Sequence, residues 1–502
     1  PYFAYKAVMN SLSTFWRNSM IAALAVLLLG ACSFSEDENQ VRVTVVEDGP
    51  AKINPVGTRL NFVSSTMRAS MAKGLVGLDE EGRVVPALAA RWIVSDDGLS
   101  YIFRLFDAKW DDGRQVTAER VARLLRERFS ELRRSRLQYD VSVVDEIVSM
   151  TGRVVEIRLD SPHPNFLQLL AQPEMGLFRA GHGAGPLRLF SEENVIKLSR
   201  FDEPSQEEKD AEQDNDRWVS LRGEKAAAAI ARYRAGAVQV VLNGKYHHLP
   251  LVDAAGISSN DLRLDPVAGL FGLRFVRANG FWAVPGNREV LAMAINRPAL
   301  LTSFPGVSAW QSRLKIIPEA LDVEGINTYP DWASMTMEDR ILFARSHMNS
   351  WKASEGSVDP LVIALPDAAG ASILFKRIQS DLRRVGLDAK RVKINQDADV
   401  RLMDEIAPYD SAQWFLMQFT CVKTSICLND ADTKIAEADA ATNLEIKARL
   451  YADAETMLVD HYNFIPLAVP IRWSIAPQGQ RGFAVNPRGW HPLNNLIGIP
   501  IS

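Results

Sequence analysis

Few groupings along this chain have the residue types and spacing for chemistry. Two acid pairs, Asp96-Asp97 and Asp111-Asp112, have the right type for general acid–base work. Each stands directly before a glycine, Gly98 or Gly113, so both read better as turns in which a carboxylate binds its own backbone. Gly181-His182-Gly183-Ala184-Gly185 has the glycine density of a phosphate loop but lacks the Lys-Ser/Thr that completes one. His247-His248 has the type for a metal site. On a strand the two would point to opposite faces, and no cysteine or acid cluster lies near in sequence, so exposed histidines are expected. There is no hydrolase elbow and no zinc-protease helix motif. The expectation is a protein without catalysis, cofactor or metal.

Composition narrows the class. The 502 residues suggest two to four domains. Charged residues make up 24%, too ordinary a share for a disordered chain. Lys+Arg is 57 against 61 Asp+Glu, a net charge of −4, which argues against a basic surface for nucleic acid. Three cysteines exclude a disulfide scaffold.

The N-terminus reads as an address. Met20 to Leu29 is an uncharged run of ten apolar residues, half of what a bilayer span needs, with Arg17 before it and no acid until Glu36. Leu29-Gly30-Ala31-Cys32 follows and resembles the lipobox of bacterial lipoproteins. The resemblance implies cleavage after residue 31, lipid on Cys32, and Ser33 to Gln40 as a polar tether. The chain is then exported and lipid-anchored on the periplasmic side, with the inner or outer membrane left open.

Periodicity predicts alternating strands and helices, hence an α/β class. Expected strands include Val41–Val46, Ser100–Phe106, Val154–Leu159, Val238–Leu242, Phe271–Val276, Leu361–Leu365 and a short Val400–Leu402. Expected helices include Ser64–Leu78, Ala118–Arg136 capped by Thr117, Phe166–Leu170, Arg288–Ile295 capped by Asn287, Ala371–Val385 and Leu444–Leu458. Ser191 to Arg217, rich in acid, reads as exposed loops.

The stretch Gly74 to Phe129 carries "GLVGLD", "PALAARW", "SDDGLSYIFRL", "WDDG" and "TAERV" in that order. It closely resembles family 5 of the bacterial extracellular solute-binding proteins, the peptide, dipeptide and nickel binders of ABC importers. Weaker echoes follow in order at Gly183–Pro186, Arg288–Leu300, Ile378–Leu387, Leu450–Pro470 and Asn486-Pro487. The resemblance implies a two-lobed periplasmic-binding-protein-like fold of class II, the large peptide-binder type, with an extra subdomain. Residues 1–31 would be the leader and 32–40 the tether. Lobe I would comprise 41–75, 182–265 and 468–502, its subdomain 76–181, and lobe II 266–467. The implied function is capture of a peptide-like or other small solute between closing lobes and delivery to an inner-membrane ABC permease, by a monomer. A non-transport ligand-binding or sensory lipoprotein is the alternative on the same fold.

Within that family, an Asp in a "FD-AL-GW-ADY-DP" segment holds the ligand's α-amine. Matched from Asp410, that place falls at Phe419 and the motif's Trp at Leu416. Lys73 also stands where an acid is usual, so the cleft is expected to be stripped of negative charge. Trp414, Gln418 and Phe419 would then give it apolar walls and one amide handle; a core strand is the competing reading. Trp92, Tyr101, Phe103 and Trp110 read as core aromatics. Cys421 and Cys427, five residues apart, can bridge in an exported chain or stand as two free thiols; a bridge is expected.

Overall fold

The β-branched run after Gln40 cannot pack both faces alone, and it becomes the centre of a seven-stranded sheet. This computed structural model describes residues 39–49, 53–135, 137–150, 152–191, 195–201, 217–304, 306–307, 310–319, 321 and 328–498. Cys32, the leader and most of the tether lie outside them. Across the sheet the strands run Leu262–Asp265, Arg472–Ile475, Val240–Lys245, Gln40–Val46, Trp218–Glu224, Ile196–Arg200 and Leu187–Ser191. Gln40–Val46 pairs in parallel with Val240–Lys245, Val43 opposite Val240. Part of the expected loop region after Ser191 is thus a strand, Ile196–Arg200, one in from the edge strand Leu187–Ser191.

A second sheet is five-stranded, in the order Ala389–Lys393, Leu361–Leu365, Val400–Ile406, Gly269–Phe275 and Phe464–Ala468. Among the described residues two chain passages join the sheets, and they run side by side. Leu262–Asp265 pairs with Arg472–Ile475 in the first sheet, Asp265 opposite Arg472. Gly269–Phe275 pairs with Phe464–Ala468 in the second, Phe271 opposite Ala468. The links, 266–268 and 469–471, contain Pro266 and Pro470, which fix φ and add no ladder donor. Two short antiparallel links between two sheets make a hinge, and the architecture is two-lobed.

Residues 89–159 build a four-stranded antiparallel sheet covered by the helix Ala118–Leu132. Val121, Leu125, Phe129 and Leu132 fall on one helix face and are buried, and Thr117 caps the helix by accepting from the Arg120 N–H. Tyr101, Phe103 and Trp110 are buried in this core, with Trp92 partly so.

Two helix readings are corrected. The helix expected over Ser64–Leu78 is Phe62–Met71; beyond it Val76–Leu78 pairs as a strand with Val84–Pro86. Gly74 enforces the change, since a Cβ there would stand 3.1 Å from the Leu170 and Val76 carbonyls. Asn287 does not cap its helix. Pro285 starts it, and the Asn287 amide turns inward to donate to the Phe281 carbonyl at 2.7 Å.

Candidate functional site

The two parallel strands at the centre of the first sheet end together, which is where open α/β sheets bind ligands. Glu47 follows one strand; Asn243 and Lys245 end the other. The second strand distorts there to do so. Asn243 is left-handed at φ 66° and donates to the Val46 carbonyl at 2.8 Å. Gly244 lies so close to the Trp473 ring that a Cβ would come within 2.0 Å of it. Opposite stands Asp404 to Pro408, the end of the strand Val400–Ile406 and its exit. Together with Phe62, Gln172, Arg472, Arg488 and Trp490 they enclose a cavity of about 480 Å³ between the two sheets. That lies within the usual size range of small-molecule sites. A smaller hollow of about 270 Å³, around His163, Asp439 and Lys447, lies away from the strand ends.

The cavity carries both signs of charge. Glu47 accepts from the Val63 N–H at 2.8 Å, in the first turn of the helix Phe62–Met71, yet burial pushes its carboxyl pKa up. Arg472 on the hinge donates to Asp404 at 2.7 Å, both side chains largely buried. Arg488 reaches Asp410 at 2.6 Å, so two ion pairs tie first-lobe arginines to the second lobe. Among the described residues no hydrogen bond or ion pair holds the exposed Glu405 carboxylate, although Arg274 and Lys423 stand near enough to feel its charge. The expectation of a cleft without acids is therefore overturned: Glu47, Asp404 and Glu405 line it.

The three side chains expected to face the ligand are placed elsewhere. Tyr409 to Phe419 contains a helix, Ala412–Met417, rather than a strand. Phe419 is fully buried in the core under that helix, its ring 4.9 Å from that of Phe464. The Gln418 amide donates to the Trp414 carbonyl at 2.8 Å and accepts from Lys423 at 3.2 Å. Trp414 is buried beside Tyr139 and His163, not at the cavity. Just after the helix, Cys421 and Cys427 form a disulfide with Cα atoms 5.0 Å apart.

The remaining chemistry-bearing residues resolve as structure. Asp97 and Asp112 accept from the Leu99 and Arg114 N–H groups two residues on. Gly183 and Gly185 pack on the last turn of the helix Phe62–Met71, where a Cβ on Gly183 would meet the Met71 carbonyl at 1.8 Å. His247 and His248 are not exposed. They are buried in a 3-10 turn, both facing Asp48.

Two α/β lobes on a paired-strand hinge, with a charged cavity between them, define a hinged solute-binding protein. Comparison with known proteins specifies it. The family "Bacterial extracellular solute-binding proteins, family 5 Middle" matches residues 83–400, and the chain belongs to that family. The glutathione-binding protein GsiB of Escherichia coli strain K12 is 23% identical, over 94% of this chain and 96% of its own. The murein tripeptide binding protein MppA of E. coli superposes with a TM-score of 0.73 at 16% identity, over 90% of this chain and 97% of its own. NikA of Brucella suis, solved with Fe(III)-EDTA, gives 0.72 at 17% identity, over 88% and 96%.

Proposed function

We propose that this protein captures a small zwitterionic solute, a peptide of two or three residues or a compound like one, between its lobes and hands it to an ABC permease. The observation that carries the reading is the cavity of about 480 Å³ with acids and bases contributed by both lobes. That volume is within the range of small-molecule sites. Glu405, a cleft carboxylate held by no partner among the described residues, takes the ligand's ammonium; Lys245 and Arg488 face its carboxylate. Resemblance to a glutathione-binding and a murein-tripeptide-binding protein supports the size class. The work is binding and release, without catalysis. The N-terminal sequence supports export and lipid anchoring through Cys32. We take 41–75, 182–265 and 468–502 as lobe I, 76–181 as its subdomain and 266–467 as lobe II; the sheet each strand joins supports this apart from Ala468, which ends a strand of the second sheet.

The test is calorimetric titration of the full-length chain with reduced glutathione, trialanine and a nonapeptide. Binding of a tripeptide, weakened about 10- to 100-fold by Glu405→Gln, is the expected result, since a charge-assisted hydrogen bond contributes about 1.5–3 kcal/mol. Preference for the nonapeptide, or tripeptide binding indifferent to Glu405→Gln, overturns the assignment.

A further inference from the structure

Asp48, His247 and His248 come together only in the fold. Asp48 follows the strand Gln40–Val46, and the histidines occupy the 3-10 turn that follows Val240–Lys245. Because those strands are parallel neighbours, the carboxylate and the two imidazoles meet. His247 Nε2 stands 3.0 Å and His248 Nε2 3.2 Å from the same oxygen, Asp48 Oδ1. One ligand atom from each residue lies within 4.8 Å of the others. Ligands about 2.0–2.1 Å from a tetrahedral zinc ion are separated by roughly 3.3 Å. Two of the three separations thus already match edges of such a polyhedron, and the third lies within 4.8 Å.

We propose that Asp48, His247 and His248 bind one divalent transition-metal cation, with zinc the best fit, next to the cleft-lining residues Glu47 and Lys245. Two imidazoles and one carboxylate are a donor set that zinc accepts, with a fourth position open. Both rings are rigidly held before any ion arrives: His247 packs edge-on to Tyr246 and His248 edge-on to Trp473. Asp48 is about half exposed, which gives the ion a way in. Lys245 holds the far oxygen, Oδ2, at 2.6 Å and so orients the carboxylate from the second layer. In the absence of metal the imidazole protons sit on Nε2 and donate to Asp48. Binding moves each proton to Nδ1. For His247 that nitrogen is buried without a partner; for His248 it now accepts from the Lys245 N–H at 3.4 Å, so the two N–H groups must turn apart when the metal binds. Glu47, next to Asp48, and Lys245, two residues before His247, line the cavity, so the cation would sit close to the bound solute.

The experiment is titration of the full-length chain, stripped with chelator and free of cleft ligand, with zinc chloride, and separately with cobalt(II). The expected result is one zinc per chain, a raised melting temperature, and intense visible cobalt bands of tetrahedral geometry. Asp48→Asn and His248→Gln should each lose the bound equivalent while melting near the wild-type temperature in chelator. His182→Gln, which alters a surface His–Asp pair, should bind like the wild type. No bound zinc, a weak octahedral cobalt spectrum from the wild type, or zinc retained by both cluster variants overturns the site. The cobalt spectrum needs no variant to fold. Because no solute is present, failure here is separate from failure of the tripeptide reading.

Discussion

Closure over the cleft should depend on amides that never touch the solute. Asn165, Gln168 and Gln172, in and beside the helix Phe166–Leu170, all engage the loop 408–410 that follows the second sheet's strand Val400–Ile406. Asn165 Nδ2 donates to the Asp410 carbonyl at 2.9 Å, the Asp410 N–H donates to Gln168 Oε1 at 3.1 Å, and Gln172 Nε2 donates to the Pro408 carbonyl at 2.9 Å. Gln172 also lines the cavity, whereas Asn165 and Gln168 do not. The informative variant is therefore the double Asn165→Ala, Gln168→Ala. Neither change disturbs the helix: Asn165 makes no capping bond with its side chain, and Ala is the best helix former at 168. Each lost bond removes about 1 kcal/mol from the closed form only. Two remove about 2 kcal/mol, a factor of roughly 30 in the closed population and hence in apparent Kd. Calorimetry with whichever tripeptide the wild type binds reads the loss, and small-angle scattering reads the ligand-bound shape. The loss should appear mainly as faster release. A Kd within twofold of wild type, with the same compact bound shape, would refute the claim that these amides hold the lobes together.

Three other outcomes follow from buried groups. Arg68 is fully buried and donates to the carbonyls of Pro55, Gly57 and Gly176; Arg68→Met strands those acceptors and should cost about 3 kcal/mol, read as a lower urea midpoint at unchanged m-value. His163 is pushed down to about 4, by burial first and then by the Lys447 charge, so its neutral form contributes stability that is present above pH 6.5 and lost as pH falls towards 4. Between pH 7 and 4.5 that loss is roughly 2–3 kcal/mol, and urea melts of His163→Phe should show a shallower decline than wild type; parallel declines would refute the role. The Cys421–Cys427 bridge closes a short loop and should contribute only about 2 kcal/mol, measured with Cys421→Ser, Cys427→Ser, while peptide mapping after alkylation without reductant should find both cysteines unmodified.

The elements were legible wherever one local rule governed them. Val154–Leu159, Phe166–Leu170 and Leu361–Leu365 occur at the predicted bounds, since the first is an apolar–charged alternation and the other two are short, mainly apolar runs, each stopped by polar or helix-breaking neighbours. The strand Val400–Ile406 was cut short at Leu402 because a period-2 reading does not place Asp404 and Glu405 in a sheet. Those two residues are charged because the strand's end faces a cavity, not a core. The site itself left no local pattern: it gathers residues near 47, 245, 404–408, 472 and 488, and only the pairing of distant strands brings them together. One signal was present. Asn243-Gly244 interrupts a β-branched strand, and such an interruption marks a bulge or a close backbone approach.

The displaced motif explains how an acid came to be missed. The pattern that resembles the family's amine-binding segment was matched from Asp410, but the cleft-lining strand opens beside Asp399, whose backbone and carboxylate secure its start. The same spacing laid from Asp399 ends at Pro408, in the cavity wall, instead of at Phe419 in the core; the place that fell at Leu416 becomes Glu405. On this register the chain lacks the acid at one position and carries one three residues earlier on the same wall. Proline cannot hold an ammonium, and its carbonyl is already taken by Gln172. On the proposed function, the negative end of the cleft moves along the strand instead of disappearing, and the ligand's amine is drawn towards Glu405 while its acid end turns to Lys245 and Arg488.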